Sequence, residues 1–399
     1  MIGEVIPTHE GALQAFLKGE LETIDLTAED LKKYGYSDYL LKAEEDFVYS
    51  FSFNNKLEQL EALETAAGDG SNKKICSYRK FKEAFSYSIN RLRFVNETTT
   101  GGTVQFGLFN NNYYYDIKND TSSIYRNSEY GMKSIVNHYG VEYGSDKEYK
   151  TLKEAYKSIT GYDLEKARTL FQELYLQMKD DGTYNDELVK LNCLATEKSE
   201  VDESKIQQQN IINTFLSDAT IGTGFAGKIT VTFTRSNNNV KDFRDGRCEM
   251  IFGVKYGQVF NPYTQIRKYI DGSSFTVGEL ACYDPSVETL DITINNEVVT
   301  KTILNWSKAV ENGGEYYDSG NDIKLTILSQ LEQYLIDQYI NVPIFSRGTA
   351  KLSSKKVIQG NTEYNLYYGF GGIRHLTYKY SDAGWNNYVK RNGGTIKYE

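Results

Sequence analysis

The chain has 399 residues, 40% of them hydrophobic, and a net charge of −9. This length exceeds what one hydrophobic core usually organises, so we expect two lobes. The negative charge and the lack of a Lys/Arg-rich run argue against a nucleic-acid backbone as partner. No apolar run approaches the roughly 20 residues that span a bilayer, and the first residues show no signal-peptide pattern.

The first thirty residues predict a strand, a helix and a second strand. An apolar run at 2–7 is followed by a helical pattern at 10–20 and by a short strand at 21–26. Thr27, with Asp30 three residues later, predicts a capping box at the start of the next helix.

The middle of the chain contains three strong local patterns. Aromatic and small polar side chains alternate at 47–53, which predicts a strand. Helices are predicted at 74–91 and 163–178. The second of these has a continuous apolar face and Asp163 as its N-cap.

The second half alternates between helical and strand patterns. The predicted elements are helices at 205–216, 239–246, 301–310 and 321–339, and strands at 228–234, 248–254 and 290–294. Alternation of this kind predicts an α/β fold.

The residue types that often carry catalysis or bind metals are scattered along the chain. None has a spacing typical of a metal site or of nucleophilic catalysis: His9, His138, His375, Cys76, Cys193, Cys248 and Cys282. We therefore expect no catalytic residue, metal or cofactor. Four cysteines allow three disulfide pairings, but we interpret them as buried small side chains, and their redox state stays open.

Two loops allow more than one interpretation. The acidic segment 180–187 suggests Ca²⁺, but its glycine is not at the sixth place of an EF-hand loop, which favours a helix-ending turn. The three tyrosines at 113–115 could line a ligand cleft, although packing around a loop is the more usual role of such a run.

Several segments match the pattern of one protein family. A long helix within 319–347 runs into a short apolar strand marked by Pro343, and aromatic, Gly-rich segments follow at 369–374 and 381–385. With the helices at 74–91 and 163–178, this resembles the oligopeptide-binding (extracellular family 5) solute-binding proteins of peptide ABC transporters. The resemblance implies an α/β, type II periplasmic-binding-protein-like fold, here lobe two plus the C-terminal return into lobe one.

The resemblance also implies a division into three parts. Residues 1–25 would form the lobe-crossing strand and helix, 26–340 lobe two, and 341–399 the segment that returns to lobe one. Full-length members begin with a lipoprotein signal and an N-terminal portion that builds most of lobe one. By this resemblance we expect the present chain to be truncated or a separate gene product.

The resemblance places ligand contacts in the segment 242–263, where Asn261-Pro262 match the family's Asp-Pro pair. By position, the expected ligand-binding residues are Lys255, Tyr256, Gln258, Phe260 and Asn261. Lys255 stands where the family usually has Trp, and Gln258 where peptide binders often have an Asp that pairs with the peptide α-ammonium. A neutral Gln cannot make that charge-assisted contact. The ligand is therefore held mostly by backbone and aromatic contacts, or it is not a peptide with a free N-terminus.

The function implied by the resemblance is solute capture for transport. A monomeric, extracytoplasmic protein, membrane-tethered in its full-length form, would close on an oligopeptide or similar solute between two lobes and deliver it to an ABC permease. A cell-surface carbohydrate- or protein-binding domain and a truncated, non-binding fragment remain alternatives, and an enzyme is the least favoured. If most of lobe one is absent, we expect weak ligand affinity and a returning segment, from Val342 onward, that is less stable than lobe two.

Overall fold

The chain forms two compact units. A computed structural model describes residues 6–45, 47–254, 261–271, 284–359, 364–365, 369–370 and 376–399. Unit 1 contains Met1–Glu45, Thr99–Thr103 and Arg347–Glu399, and unit 2 contains Asp46–Thr98 and Val104–Ser346.

The described elements alternate between helices and strands along much of the chain. The helices are α1 (His9–Leu17), α2 (Ala28–Tyr34), α3 (Leu57–Ala67), α4 (Arg79–Ser88), α5 (Arg91–Thr98), α6 (Glu129–Tyr139), α7 (Leu152–Ser158), α8 (Leu164–Asp180), α9 (Glu203–Thr220), α10 (Asn239–Arg244), α11 (Pro262–Arg267), α12 (Ile303–Ala309), α13 (Asn321–Asp337) and α14 (Asp382–Arg391). The strands are β1 (Thr23–Asp25), β2 (Leu40–Glu44), β3 (Tyr49–Phe53), β4 (Thr103–Val104), β5 (Val189–Thr196), β6 (Ile229–Arg235), β7 (Met250–Val254), β8 (Thr289–Ile294), β9 (Glu297–Thr302), β10 (Asn341–Ser346), β11 (Gly348–Ser353), β12 (Val357–Gln359), β13 (Tyr364–Asn365), β14 (Gly369–Phe370) and β15 (Leu376–Tyr378). Short 3₁₀ helices lie at Lys74–Ser77 and Tyr125–Asn127.

Unit 1 is organised by a three-stranded antiparallel sheet with the order β1-β11-β2. Ile24 of β1 lies opposite Leu352 of β11, and both side chains are buried in a core that includes Phe16 and Trp385. The indole N–H of Trp385 donates to the carbonyl oxygen of Gly19 at 2.7 Å. This bond connects α14 to the end of α1.

Unit 2 contains a six-stranded sheet with the order β4-β10-β3-β7-β5-β6. β3 is antiparallel to both of its neighbours, β10 and β7. β5 is parallel to both β7 and β6. The carboxyl ends of β5, β6 and β7 therefore lie at the same edge of the sheet.

The first core of unit 2 covers one face of this sheet. Alternate residues of the strands enter it, including Leu191 and Cys193 of β5 and Val231 and Phe233 of β6. Apolar faces of α4, α8 and α9 pack against the same cluster. This alternation leaves Asn192 of β5, which is exposed, on the other face.

A second core of unit 2 is mainly helical. It is formed by α6, α7, α11, α12, α13 and the β8–β9 hairpin. Trp306 of α12 is fully buried there, and its indole N–H donates to the carbonyl oxygen of Leu290 at 2.7 Å. The hairpin turns at Asn295 and Asn296, whose φ angles of 53° and 67° suit a two-residue turn with positive φ at both positions.

The two helix caps predicted from the sequence are confirmed. Thr27 accepts the backbone N–H of Asp30, and the carboxylate of Asp30 accepts the backbone N–H of Thr27. Asp163 accepts the backbone N–H of Lys166 at 2.9 Å and begins α8. These caps form because each side chain reaches donors only three residues away.

The prediction of one continuous helix at 74–91 is wrong. The segment forms a 3₁₀ turn and α4, and the chain then becomes extended at Ile89 before α5 begins at Arg91. The buried guanidinium of Arg91 donates to the carbonyl oxygens of Pro343 and Gly161, each at 2.8 Å. These bonds join segments that are distant in sequence, so the break depends on contacts that a local pattern does not reveal.

The division into units differs from the three-part division expected from the resemblance. Residues 26–45 group with unit 1 because β2 pairs with β11, and 341–346 group with unit 2 because β10 pairs with β3. Residues 99–103 also belong to unit 1. The lobe boundaries at 25/26 and 340/341 stay a prediction.

The acidic segment after α8 is organised by lysines. Asp186 accepts hydrogen bonds from Lys179 at 2.9 Å and from Lys228 at 3.0 Å. These two hydrogen bonds lower the pKa of Asp186 to about 2, and the bond from Lys179 makes the largest contribution. α8 ends at Asp180, with Gly182 at φ 68° in the turn that follows. This arrangement agrees with the helix-ending turn rather than with a calcium loop.

We expect the C-terminal part of unit 1 to open before unit 2, because the described part of unit 1 has a smaller core and a sheet of only three strands. Limited proteolysis followed by mass spectrometry should show first cleavages after residue 346. Trp385 lies in unit 1 and Trp306 in unit 2, so fluorescence of the single-tryptophan variants Trp306→Phe and Trp385→Phe reports each unit separately. Equal protease resistance and coincident urea transitions would contradict this expectation.

Candidate ligand-binding edge of unit 2

The carboxyl ends of the parallel strands define the candidate site. Thr196 at the end of β5 lies opposite Arg235 at the end of β6. β3 begins at the same edge, where Tyr49 lies opposite Val254 at the end of β7. In open α/β sheets, ligands bind outside the carboxyl ends of the strands.

Four aromatic side chains lie together at this edge. The ring of Tyr49 stacks on that of Phe345, with centroids 4.8 Å apart and planes inclined by 6°. Phe252 lies 5.7 Å from Tyr49, and Phe47 contacts Tyr49 edge-on at 6.0 Å. Phe252 and Phe345 are buried, whereas Phe47 and Tyr49 are half-buried. We call these four residues the aromatic edge; its two partly exposed rings can pack against apolar groups of a ligand.

A lysine ammonium lies beside the aromatic edge. Nζ of Lys205, in the first turn of α9, is 4.9 Å from the ring centroid of Phe252 and 5.6 Å from that of Tyr49. It also donates to Oε1 of Gln208 at 3.1 Å. The ring quadrupoles attract the positive charge and hold it at the edge. A ligand carbonyl or carboxylate is the group that this ammonium would bind.

Asp202 fixes the position of Lys205. As the N-cap of α9, its carboxylate accepts the backbone N–H of Lys205 at 3.0 Å and the ammonium of Lys198 at 2.7 Å. The hydrogen bond from Lys198 is the largest cause that lowers the pKa of Asp202. An ionised carboxylate at a helix N-terminus is also favoured by the helix dipole. The start of α9 is therefore held in place beside the aromatic edge.

A polar surface pocket of about 450 Å³ lies on the sheet face opposite the first core. Asn192 of β5 and Thr234 of β6 contribute to its wall. Asp242 accepts hydrogen bonds from Ser236 and from Arg247, which lies 3.0 Å away. Asp242 and Arg247 of this pocket pair with each other, whereas the aromatic edge presents partly exposed rings and is therefore the candidate ligand site.

Several solved structures of binding proteins resemble this chain. The structure of the pheromone receptor PrgZ, solved with its mode of peptide binding, matches 94% of this chain and 56% of its own, at 14% identity and a TM-score of 0.53. Listeria monocytogenes OppA bound to peptide matches 95% and 58%, at 11% identity and a TM-score of 0.54. A putative peptide-binding protein, AppA from Clostridium difficile, matches 94% and 60%, at 11% identity and a TM-score of 0.56. No family model and no curated protein sequence matches the chain.

The chain has the fold of these binding proteins. It is a type II periplasmic-binding-protein-like α/β fold, so the fold class predicted from the sequence is confirmed. The chain spans less than two thirds of the length of each of these three structures. At 11–14% identity the likeness extends to the fold alone.

The sequence-predicted ligand residues lie in the segment of the amino-acid sequence that begins after β7. Four of them lie outside the described residues: Lys255, Tyr256, Gln258 and Phe260. They follow β7, which ends at the candidate edge with Val254, and their role stays a prediction. Asn261 is described, and its side-chain oxygen accepts the backbone N–H of Thr264 at 3.1 Å, with Pro262 as the first residue of α11. Its side chain therefore serves as a helix cap.

Sequence reasoning missed most of the aromatic edge. It predicted the strand that carries Phe47 and Tyr49, but it could not show that this strand pairs with β10 and β7. It also missed β5, although the apolar side chains alternate at Val189, Leu191 and Cys193 and the signal was present.

The run of three tyrosines at 113–115 contributes to packing. Tyr113 is buried in the second core of unit 2 and contacts Phe109 edge-on at 5.1 Å. Tyr115 is half-buried and packs against the same core. The packing interpretation is confirmed for these two residues.

The described cysteines and histidines occupy structural positions. Cys76, Cys193 and Cys248 are buried and unbonded to one another, and burial raises the pKa of each thiol. His9 lies 2.6 Å from Asp30, and His138 lies 2.7 Å from Asp337. Cys282 and His375 lie outside the described residues. Among the residues that the structure describes, no cluster of three or more His, Cys, Asp or Glu could hold a metal, and no helix is long and apolar enough to cross a membrane.

Proposed function

We propose that this chain belongs to a solute-binding component of a peptide ABC transporter, which captures an oligopeptide or a similar solute and delivers it to a membrane permease. The observation that carries the proposal is the fold shared with solved peptide-binding proteins over more than nine tenths of the chain. The aromatic edge at the carboxyl ends of β5, β6 and β7 supports it, because ligands bind there in folds of this class.

The chemistry of the edge suits a peptide held without a strong charge pair at its N-terminus. The rings of Phe47 and Tyr49 offer apolar contact, and Lys205 offers a hydrogen-bond donor with positive charge. In this proposal the protein works outside the cytoplasm as a tethered monomer and binds without catalysis. Ligand contacts that form only in a closed state of the two lobes would shift the population toward closure.

Replacing Tyr49 by alanine is expected to weaken ligand binding about tenfold or more, as truncation of an aromatic binding residue often does. Isothermal titration calorimetry with defined peptide pools measures the effect. Tyr36→Ala is the matched control, because Tyr36 is fully exposed in unit 1. It should bind as the unchanged protein does, and both variants should keep the far-ultraviolet circular dichroism of the unchanged protein.

The same calorimetry separates the proposal from a carbohydrate-binding role, since exposed rings also stack on sugars. Saturable heat with peptides, and none with oligosaccharides, supports peptide capture. Saturable heat with oligosaccharides alone would replace it. If Tyr49→Ala and Tyr36→Ala bind peptide with equal affinity, the aromatic edge is not part of the binding site, although the protein still binds peptides.

A further inference from the structure

β6 is the outermost described strand on one side of the unit 2 sheet, and the backbone N–H and C=O groups along its outer edge need hydrogen-bond partners. β6 pairs with β5 on one side, and within the described ranges no strand pairs with its other side. In a parallel pair, the N–H and C=O groups of alternate residues point away from the partner. Such an edge is a template for another strand unless something covers it.

Two side chains of α9 cover this edge. The side-chain N–H of Asn213 donates to the carbonyl oxygen of Val231 at 2.8 Å, and the backbone N–H of Val231 donates to the side-chain oxygen of Asn213 at 2.8 Å. The backbone N–H of Phe233 donates to Oε1 of Gln209 at 2.7 Å. The amide of Asn213 thus makes the two bonds that a neighbouring strand would make to Val231.

The geometry of the two elements explains the match. Gln209 and Asn213 are four residues apart in the helix, a rise of about 6 Å, and Phe233 and Val231 are two residues apart in the strand, about 6.6 Å. The helix therefore runs antiparallel to β6. One side-chain amide in each helical turn faces one residue of the strand whose backbone N–H points away from β5. The opposite face of α9, including Phe215, is buried in the first core and holds the helix in this register.

We infer that Gln209 and Asn213 act as a guard that keeps β6 closed to strand addition by a second copy of this chain. The second copy is the occupant that fits, because two identical edges can pair about a two-fold axis. β6 reads Ile-Thr-Val-Thr-Phe-Thr-Arg, with β-branched residues and no Pro or Gly, so it would pair readily once exposed. The guard is independent of the proposed transport role.

The unaltered protein provides the first test, by hydrogen exchange resolved to single amides. The guard predicts that Val231 and Phe233 exchange as slowly as Thr232, whose N–H points toward β5 by alternation. In Gln209→Ala/Asn213→Ala they should exchange about tenfold faster or more in dilute solution, with Thr232 unchanged. Fast exchange of Val231 and Phe233 in the unaltered protein would overturn the inference without any variant.

Self-association provides the second test, by light scattering after size exclusion over a wide range of concentrations. Gln209→Ala/Asn213→Ala should associate about tenfold more tightly than the unaltered protein. Asn210→Ala is the matched control, because Asn210 is exposed on α9 and the structure gives its side chain no bond to β6. Adding Thr232→Lys to the double variant should restore the mass of the unaltered protein, since an edge lysine opposes strand pairing. A folded double variant with unchanged mass, or association that Thr232→Lys does not reduce, would overturn the inference.

Discussion

Replacing Glu332 by glutamine is expected to lower the free energy of unfolding of unit 2 by about 3–5 kcal/mol, because it leaves a buried guanidinium without its counter-charge. Glu332 is fully buried and forms an ion pair with Arg126, whose side chain is only 4% exposed. The carboxylate also accepts the backbone N–H of Leu108 at 2.9 Å and the hydroxyls of Tyr125 at 2.9 Å and Ser134 at 2.8 Å. Glutamine would remove the charge and replace one acceptor by a donor.

Urea unfolding followed by Trp306 fluorescence measures this loss for unit 2 alone when Trp385→Phe is the background. Glu61→Gln is the matched control, because Glu61 is exposed on α3, and it should change the free energy of unfolding by less than about 0.5 kcal/mol. A loss below about 1 kcal/mol for Glu332→Gln would show that groups other than Glu332 compensate the buried positive charge of Arg126.

The surroundings of the Arg126–Glu332 pair leave little space for such compensation. A Cβ placed on Gly107 would lie 2.6 Å from Oε1 of Glu332 and 2.7 Å from Cδ1 of Ile135. Contacts this short are not found for real Cβ atoms. The side chains are therefore closely packed on the Gly107 side of the pair.

Lys73→Met is expected to cost about 3–5 kcal/mol as well, because Glu249 would then be a buried carboxylate without a counter-ion. Nζ of Lys73 lies 2.7 Å from Oε1 of Glu249, and the two side chains are 3% and 0% exposed. Among the described residues, this Oε1 has no hydrogen bond beyond the ion pair. The other carboxylate oxygen accepts the backbone N–H of Asn192 at 2.7 Å, so the pair supports β5 directly.

The double variant Lys73→Met/Glu249→Gln tests the reason for this loss. Glutamine removes the uncompensated charge and keeps an acceptor for the N–H of Asn192. The double variant should therefore be more stable than Lys73→Met alone by more than about 1 kcal/mol, with the same Trp306 measurement. If the loss of stability in the double variant equals the sum of the losses in Lys73→Met and in Glu249→Gln, Lys73 and Glu249 contribute separately to stability.

The local features of this protein could be predicted because they depend on residues three or four apart. The capping box of Thr27 and Asp30 and the N-cap at Asp163 follow from single side chains and nearby backbone donors. The apolar face of α8 follows from the helical period. Together with the order of helices and strands, these patterns were sufficient for the α/β class, and the type II periplasmic-binding-protein-like fold was implied by the family resemblance.

The candidate site was predicted less completely. The family resemblance placed ligand contacts in the segment after β7, but neither it nor the local patterns assigned a ligand role to Tyr49, Phe345 or Lys205. Tyr49 and Phe345 come together only because β3 pairs with β10, and that pairing depends on which edges the intervening elements leave open. Strand pairing and register are set by long-range packing.

The sequence by itself determined the positions of many helices and several strands, two N-caps and the α/β class, since each depends on local periodicity or on residues three or four apart. Only the tertiary structure decided which strands meet, which charges are buried and which edges are covered. Arg126 and Glu332 are 206 residues apart, and no local pattern marks either as buried. Their ion pair, like the guard of Gln209 and Asn213 on β6, exists because packing brings distant segments together and then requires every buried polar group to find a partner.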